Sequence, residues 1–264
     1  MIALAGFLAL CSVAAGAQTL HVGSDVSYAP LEFFAPKSHA MLGFDIDLGN
    51  ALAQKMGAQV EIRNHTFDDL IPSITKGTFD FAVSAISDTR SRERKVDFID
   101  YLLAGSGMLV PYGNPKHVFD VGALCGLRVS VQRGTSQETA LQDESKHCTD
   151  VHLAAIKLVE NATDDGAFQD FVQGQADVHV TDYPVVAYLA KSSDRKYEVA
   201  GRQFDLVPYG IAVAKSDPAL RSRLAAALSQ LIADGTYDRL LSKWGLEQGA
   251  LRSVPINAGT LFSK

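Results

Sequence analysis

Residues 64–83 read NHTFDDLIPSITKGTFDFAV, and residues 161–180 read NATDDGAFQDFVQGQADVHV. Laid over one another at an offset of 97, they match at Asn64/Asn161, Thr66/Thr163, Asp68/Asp165, Gly77/Gly174, Asp80/Asp177 and Val83/Val180. Each copy places an Asp near a helix start, then an amphipathic turn or two, a Gly that ends the helix, and an apolar strand. Ile71 and Ile74 in the first copy answer Phe168 and Phe171 in the second, the i, i+3 spacing of a buried helical stripe. Solenoid repeats recur every ~20–50 residues. One long repeat predicts two similar α/β lobes instead, with strands at 79–84 and 176–181.

Outward from this pair, strands are predicted at Leu20–Gly23, Val60–Arg63, Met108–Pro111, Leu127–Val131 and Tyr209–Ala214, alternating with helical patterns. Such alternation implies mostly parallel sheets covered on both faces. Phe44, Leu48, Leu52 and Met56 mark a helix over Phe44–Met56, and a second runs over Pro218–Ala233 with Ser216 as its cap and Gly235 at its end. A last helix carries Tyr237, Leu240, Leu241 and Trp244 and stops at Gly245. In open parallel sheets ligands bind beyond the carboxyl ends of the strands, which directs attention to the residues after Val83 and Val180.

The chain has 264 residues, of which 47% are hydrophobic and 20% charged, so it has material for a packed core. At about 150 residues per domain this length suits two small domains. The 24 Lys+Arg against 30 Asp+Glu give a formal charge of −6, which disfavours nucleic acid as a partner and favours a small substrate. Residues 1–17, MIALAGFLALCSVAAGA, are uncharged, apolar and end in a small-x-small pattern, the signature of a cleaved export signal. A membrane anchor would need about 20 apolar residues. No Lys or Arg precedes Lys37, so the true start is expected to lie a few codons upstream. Cleavage after Ala17 removes Cys11, itself a weak lipidation candidate, and leaves Cys125 and Cys148 in an oxidising compartment. A disulfide between them is expected to add about 3 kcal/mol. His152 near Cys148 lacks the further close ligands of a zinc site, and no metal or cofactor is expected.

Seven blocks in order, VGSDVSYAPLEF (22–33), LGFDIDLGNALAQKMG (42–57), FDDLIPSITKGTFDFAVSAIS (67–87), TRSRERKVDFIDYL (89–102), LCGLRVSVQRGTSQE (124–138), QGQADVHVTDYPVVAYL (173–189) and DGTYDRLLSKWG (234–245), make the chain similar to a known family. It resembles the periplasmic amino-acid-binding proteins of ABC importers, the polar-amino-acid family (family 3) of extracellular solute-binding proteins. The resemblance implies a type II two-lobed clamp with a two-strand hinge, each lobe a mostly parallel sheet flanked by helices. Lobe 1 is expected to comprise 19–104 with 205–264, and lobe 2 107–203.

The same resemblance assigns roles. Thr89 and Arg92 match a T-x-x-R pattern whose Arg grips the ligand carboxylate, a group suited to two parallel N–H bonds. Arg90 and Arg94 read as a solvated basic run. Asp182 matches the carboxylate that takes the ligand α-ammonium; its alternative is a cap for the helix that follows. Ser87, Thr135 and Ser136 match the carboxylate cradle, or serve as caps only. Tyr28 and Phe67 match aromatics that sandwich the ligand side chain. Asp25 and Asp45 lean towards a cationic side chain. Ala85 stands where relatives often place a hydroxyl, and Asp88 where an apolar residue is usual, so Asp88 would oppose a bound carboxylate unless it points away.

The resulting expectation is an exported, periplasmic, monomeric binding protein that captures a polar or basic L-amino acid by lobe closure and delivers it to a membrane permease. No G-x-S-x-G, P-loop, H-E-x-x-H or catalytic Cys–His pair is present. The alternatives are an exported enzyme on the same fold, such as a cyclohexadienyl dehydratase with Asp182 or Glu138 as its acid, and a receptor ectodomain, against which stands the lack of a second hydrophobic span.

Overall fold

In a computed structural model the described residues are 18–262; the export signal expected over 1–17 lies outside them. The chain opens with strand β1 (Thr19–Ser24), then a small antiparallel sheet of β2 (Ser27–Tyr28), β3 (Glu32–Phe34) and β4 (Met41–Leu42). Helix α1 (Phe44–Met56), β5 (Gln59–Asn64), α2 (Phe67–Thr75), β6 (Phe81–Ala82) and the short α3 (Arg90–Glu93) follow. The long β7 (Val96–Pro111) leads into β8 (Arg128–Gln132), α4 (Ser136–Asp150), β9 (Lys157–Asn161), α5 (Asp164–Val172), β10 (Val178–Asp182) and α6 (Tyr183–Ser192). A second long strand, β11 (Tyr197–Ala214), returns to α7 (Pro218–Ala233) and α8 (Thr236–Trp244).

The strands hydrogen-bond in the order β5-β1-β6-β11-β7-β10-β8-β9. β1 lies parallel to β5 and β6, and β8 parallel to β9 and β10, while β7 and β11 run antiparallel to each other and to their flanks. Two main cores result. Leu20, Val22, Phe44, Leu48, Leu52, Ile99, Ile211 and Leu228 fill the first; Met108, Val110, Val129, Val131, Leu141 and Val178 fill the second. Among the described residues only β7 and β11 run from one core to the other, so they form the crossing between two lobes.

The repeat has a structural cause. α2 and α5 begin 97 residues apart, and Gly77 and Gly174 end them in the same left-handed turn, φ +75° and +74°. Asp80 accepts from the His21 amide (2.7 Å) and Asp177 from the Arg128 amide (3.0 Å), so each aspartate ties the neighbouring parallel strand into its sheet. Helices α1 and α7 have the bounds their periodicity predicts, because each buries one apolar stripe: Phe44, Leu48 and Leu52, or Leu220, Leu224, Leu228 and Leu231.

Three readings need correction. The cap of α7 is Asp217, not Ser216: Pro218 is the first helical residue, and the Asp217 side chain accepts from the Leu220 amide at 2.9 Å. Met108–Pro111 and Tyr209–Ala214 are ends of continuous strands rather than separate ones, because backbone pairing carries on through the polar, glycine-containing stretches around 105 and 201–206, with register shifts at Ala200/Phe204 and Phe204/Val207. Strand 79–84 shortens to Phe81–Ala82, since Ala85 turns aside at φ +43°. Cys125 and Cys148 form the expected disulfide. No helix among the described residues is long and apolar enough to cross a membrane.

Candidate functional site

The carboxyl ends of β1, β6, β8 and β10 face each other across the gap between the lobes, and a cavity lies there. β1 delivers Asp25, the β2 strand Tyr28, the start of α2 Phe67, the loop after β6 Ala85 and Ser87, and α3 Arg92. From the second lobe come Thr135 and Ser136 at the start of α4, and Asp182 at the end of β10. Nine of the ten residues expected at the site therefore line one cavity. Thr89 does not: its hydroxyl caps α3 by accepting from the Arg92 amide (3.4 Å), which orients that arginine from behind. Glu32, Ser84, Gln132 and Gln137 also line the cavity. Gln137 adjoins the quoted cradle residues, but nothing in its own surroundings marked it; the other three are placed by packing.

Arg92 is half-buried, donates to the carbonyls of Ser87 and Gly134 (3.0 Å each), and lies 5.3 Å over the Phe67 ring. Burial lowers its pKa to about 10, so it stays charged at neutral pH. Asp182 is 4% exposed. Its carboxylate accepts from the Tyr28 hydroxyl (2.7 Å) and the Gln137 amide (2.5 Å), and its side chain does not cap α6. Burial, more than any charge, raises its pKa to about 7. Asp25 accepts from Gln132 (2.6 Å) and Ser27 (3.0 Å), and burial again raises its pKa, with Asp164 adding to the effect. Among the described residues no ion pair reaches Asp25, Asp182 or Arg92.

Beneath the cavity, Asp45 accepts from the Tyr101 hydroxyl and the Ala85 amide, both 2.7 Å, and does not line the space. Glu32 beside it is pushed well up by burial and by Asp45, so this buried pair carries one charge. Thr135 caps α4 through the Glu138 amide (3.1 Å), while Ser87 and Ser136 meet hydroxyl to hydroxyl across the gap at 3.1 Å. Asp88, fully buried, points away from the cavity.

Two lobes on a two-strand crossing, with a guanidinium on one side of the cavity between them and an unpaired carboxyl on the other, define a clamp for a small dipolar ligand. The family model for bacterial extracellular solute-binding proteins, family 3, matches residues 20–247, and the chain belongs to that family. It is 32% identical over 240 residues to an arginine-binding protein of Corynebacterium glutamicum, covering 90% of this chain and 78% of that one. It is 30% identical to the histidine-binding periplasmic protein of Salmonella typhimurium, over 89% and 91% of the two chains. Among solved structures it superposes with a TM-score of 0.77, at 37% identity and over 86% and 95% of the chains, on an ancestral amino-acid-binding protein, a precursor of cyclohexadienyl dehydratase.

Proposed function

We propose that this protein captures an L-α-amino acid with a cationic side chain by closure of its lobes, 19–104 with 205–264 against 107–203, and hands it to the permease of an ABC importer outside the cytoplasm. Arg92 takes the α-carboxylate with Ser87, Thr135 and Ser136 around it; Asp182 takes the α-ammonium; Tyr28 and Phe67 flank the side chain; Asp25 meets its charge. The observation that carries this reading is the charge count in the cavity. Arg92 and Asp182 together balance a zwitterion, and Asp25 is a further buried carboxyl with no cationic partner among the described residues. A buried unpaired carboxylate is costly, and a ligand cation removes that cost. The names of the two relatives, for arginine and histidine, support the same class, and the periplasmic relative supports export.

A thermal-shift panel of the twenty amino acids plus ornithine and citrulline tests this, because a tight ligand stabilises the folded state by mass action. Arginine, lysine, ornithine or histidine is expected to give the largest shift; glutamine or an acidic amino acid at the top would refute the cationic assignment. A second reading is favoured by Asp182, whose pKa of about 7 equips it to donate a proton. As an exported dehydratase the protein would convert prephenate or arogenate to the aromatic product, whereas the binding reading expects no such product.

A further inference from the structure

Behind the loop that carries Ser87 and Arg92, residues 250–261 run along β7 as a strap. The Asp100 amide donates to Pro255 O (3.0 Å) and the Asn257 amide to Phe98 O (3.1 Å), while the Asn257 side chain accepts from the Phe98 amide (2.7 Å). Its tip ends on three acids, one of them Glu93, whose carboxylate accepts from the Thr260 amide (3.1 Å). The Gly259 amide donates to Asp88 Oδ2 (2.8 Å) and the Ala258 amide to Asp100 Oδ2 (3.2 Å). The approach is close: a Cβ on Gly259 would fall 2.1 Å from the Asp88 carbonyl oxygen. Asp88 and Asp100 are both fully buried, and two consecutive amides of the strap hold one oxygen of each. The Oδ1 atom of each is buried with no hydrogen-bond partner among the described residues.

Two buried carboxyls held on consecutive amides lie too close for both to be charged, and one proton between them satisfies both orphaned oxygens. We infer that a proton shared by Asp88 and Asp100 docks the strap onto the Ser87–Arg92 loop, making Asp88 a positioning residue for the arginine that grips the ligand. The inference rests on the ligand role proposed for Arg92. It also accounts for an acid next to an anion cradle: Asp88 is neutral there and faces the strap, with its amide donating to Pro208 O at 2.8 Å on the other side.

The charged groups around the pair are few. Asp100 faces Asp88 from β7, Glu93 raises both from α3, and Arg92 sits on the cavity side. Lys215 and Arg221 are engaged by Asp97, three residues before Asp100 on β7. Burial raises Asp88 to about 8 and Asp100 to about 6, so Asp88 is the proton donor of the pair. Docking takes up a proton. It is therefore strongest at acid pH, weakens as pH rises towards about 8, and is flat beyond.

Asp88→Asn tests this, because its amide donates to Asp100 and its carbonyl accepts from Gly259 at every pH. L-Arginine affinity is measured by calorimetry on the full chain and the variant from pH 5.5 to 8.5; the ratio of the two cancels the titration of the ligand and of all other groups. A single proton changes affinity by at most tenfold per pH unit, and the wild-type-to-variant ratio is expected to fall by about threefold to tenfold between pH 6 and 8. In the ligand-free protein the Gly259 amide resonance is expected to titrate in wild type and not in the variant. Asp100→Asn, which fills the same role from the other side, is expected to behave as Asp88→Asn does and serves if that variant does not fold. A constant affinity ratio overturns the positioning role, and a Gly259 resonance that does not titrate overturns the shared proton. If arginine binds none of the proteins while Gly259 titrates, the cationic-ligand reading fails instead, and the ratio is read with whichever amino acid stabilises the protein most.

Discussion

Where the lobes meet, Asp182 is buried and Arg92 half-buried, and this sets what their removal does. Losing one partner of a desolvated pair costs about 2–5 kcal/mol, so Arg92→Ala and Asp182→Ala are each expected to weaken arginine binding by roughly thirtyfold to several thousandfold in calorimetry. A variant within threefold of wild type would remove that residue from the site. Asp182 has a further consequence, because with the lobes together and no ligand its pKa is about 7. An ammonium stabilises the carboxylate and pulls that pKa down, so binding releases a proton and affinity falls as pH drops below about 7. Calorimetry at pH 6.5 in phosphate and in a buffer of high ionisation enthalpy is expected to differ by the heat of that proton. Equal heats would mean Asp182 is already ionised in the free protein.

At the level of elements, the repeat was visible in the sequence while the purpose of its aspartates was not. Asp80 and Asp177 share a spacing, but the strands they tie down, β1 and β8, lie 59 and 49 residues earlier in the chain. The Arg128–Asp177 ion pair is half-exposed and worth little; the bond to the Arg128 amide is what Asp177→Ala removes. That variant is expected to lose about 1–2 kcal/mol in urea unfolding while keeping arginine affinity within threefold. Arg128 holds the Asp177 pKa down, so the contribution is present near neutral pH and lost as pH falls towards the acid range. Helix bounds were legible where a single apolar stripe is buried, as in α1 and α7. The two-residue β6, the three-strand sheet of β2, β3 and β4, and the unbroken course of β7 and β11 were not, because backbone pairing with distant segments defines them and no side-chain period does.

For the whole molecule, the lobes meet through Tyr28 with Asp182, Gln132 with Asp25, Ser87 with Ser136, and Arg92 with the Gly134 carbonyl. The Tyr28 hydroxyl is the densest of these joints, since it also accepts from Thr181 (2.7 Å) and the Asp182 amide (3.0 Å). Tyr28→Phe is therefore expected to leave the ligand-free melting temperature nearly unchanged and to weaken arginine binding by about tenfold, the equivalent of ~1.4 kcal/mol. Small-angle scattering is expected to show the wild type contracting when arginine is added; no contraction at saturation would contradict closure by the ligand. From the residues came the lobed α/β architecture, most helices and the disulfide pair, because local periodicity and cysteine number are written along the chain; the nine side chains that share a cavity came from the resemblance carried by the seven blocks. Folding alone decided which buried acids keep their protons: Glu32 beside Asp45 and Asp88 beside Asp100 are neighbours only in space, and desolvation depends on every atom packed around a group rather than on its place in the sequence.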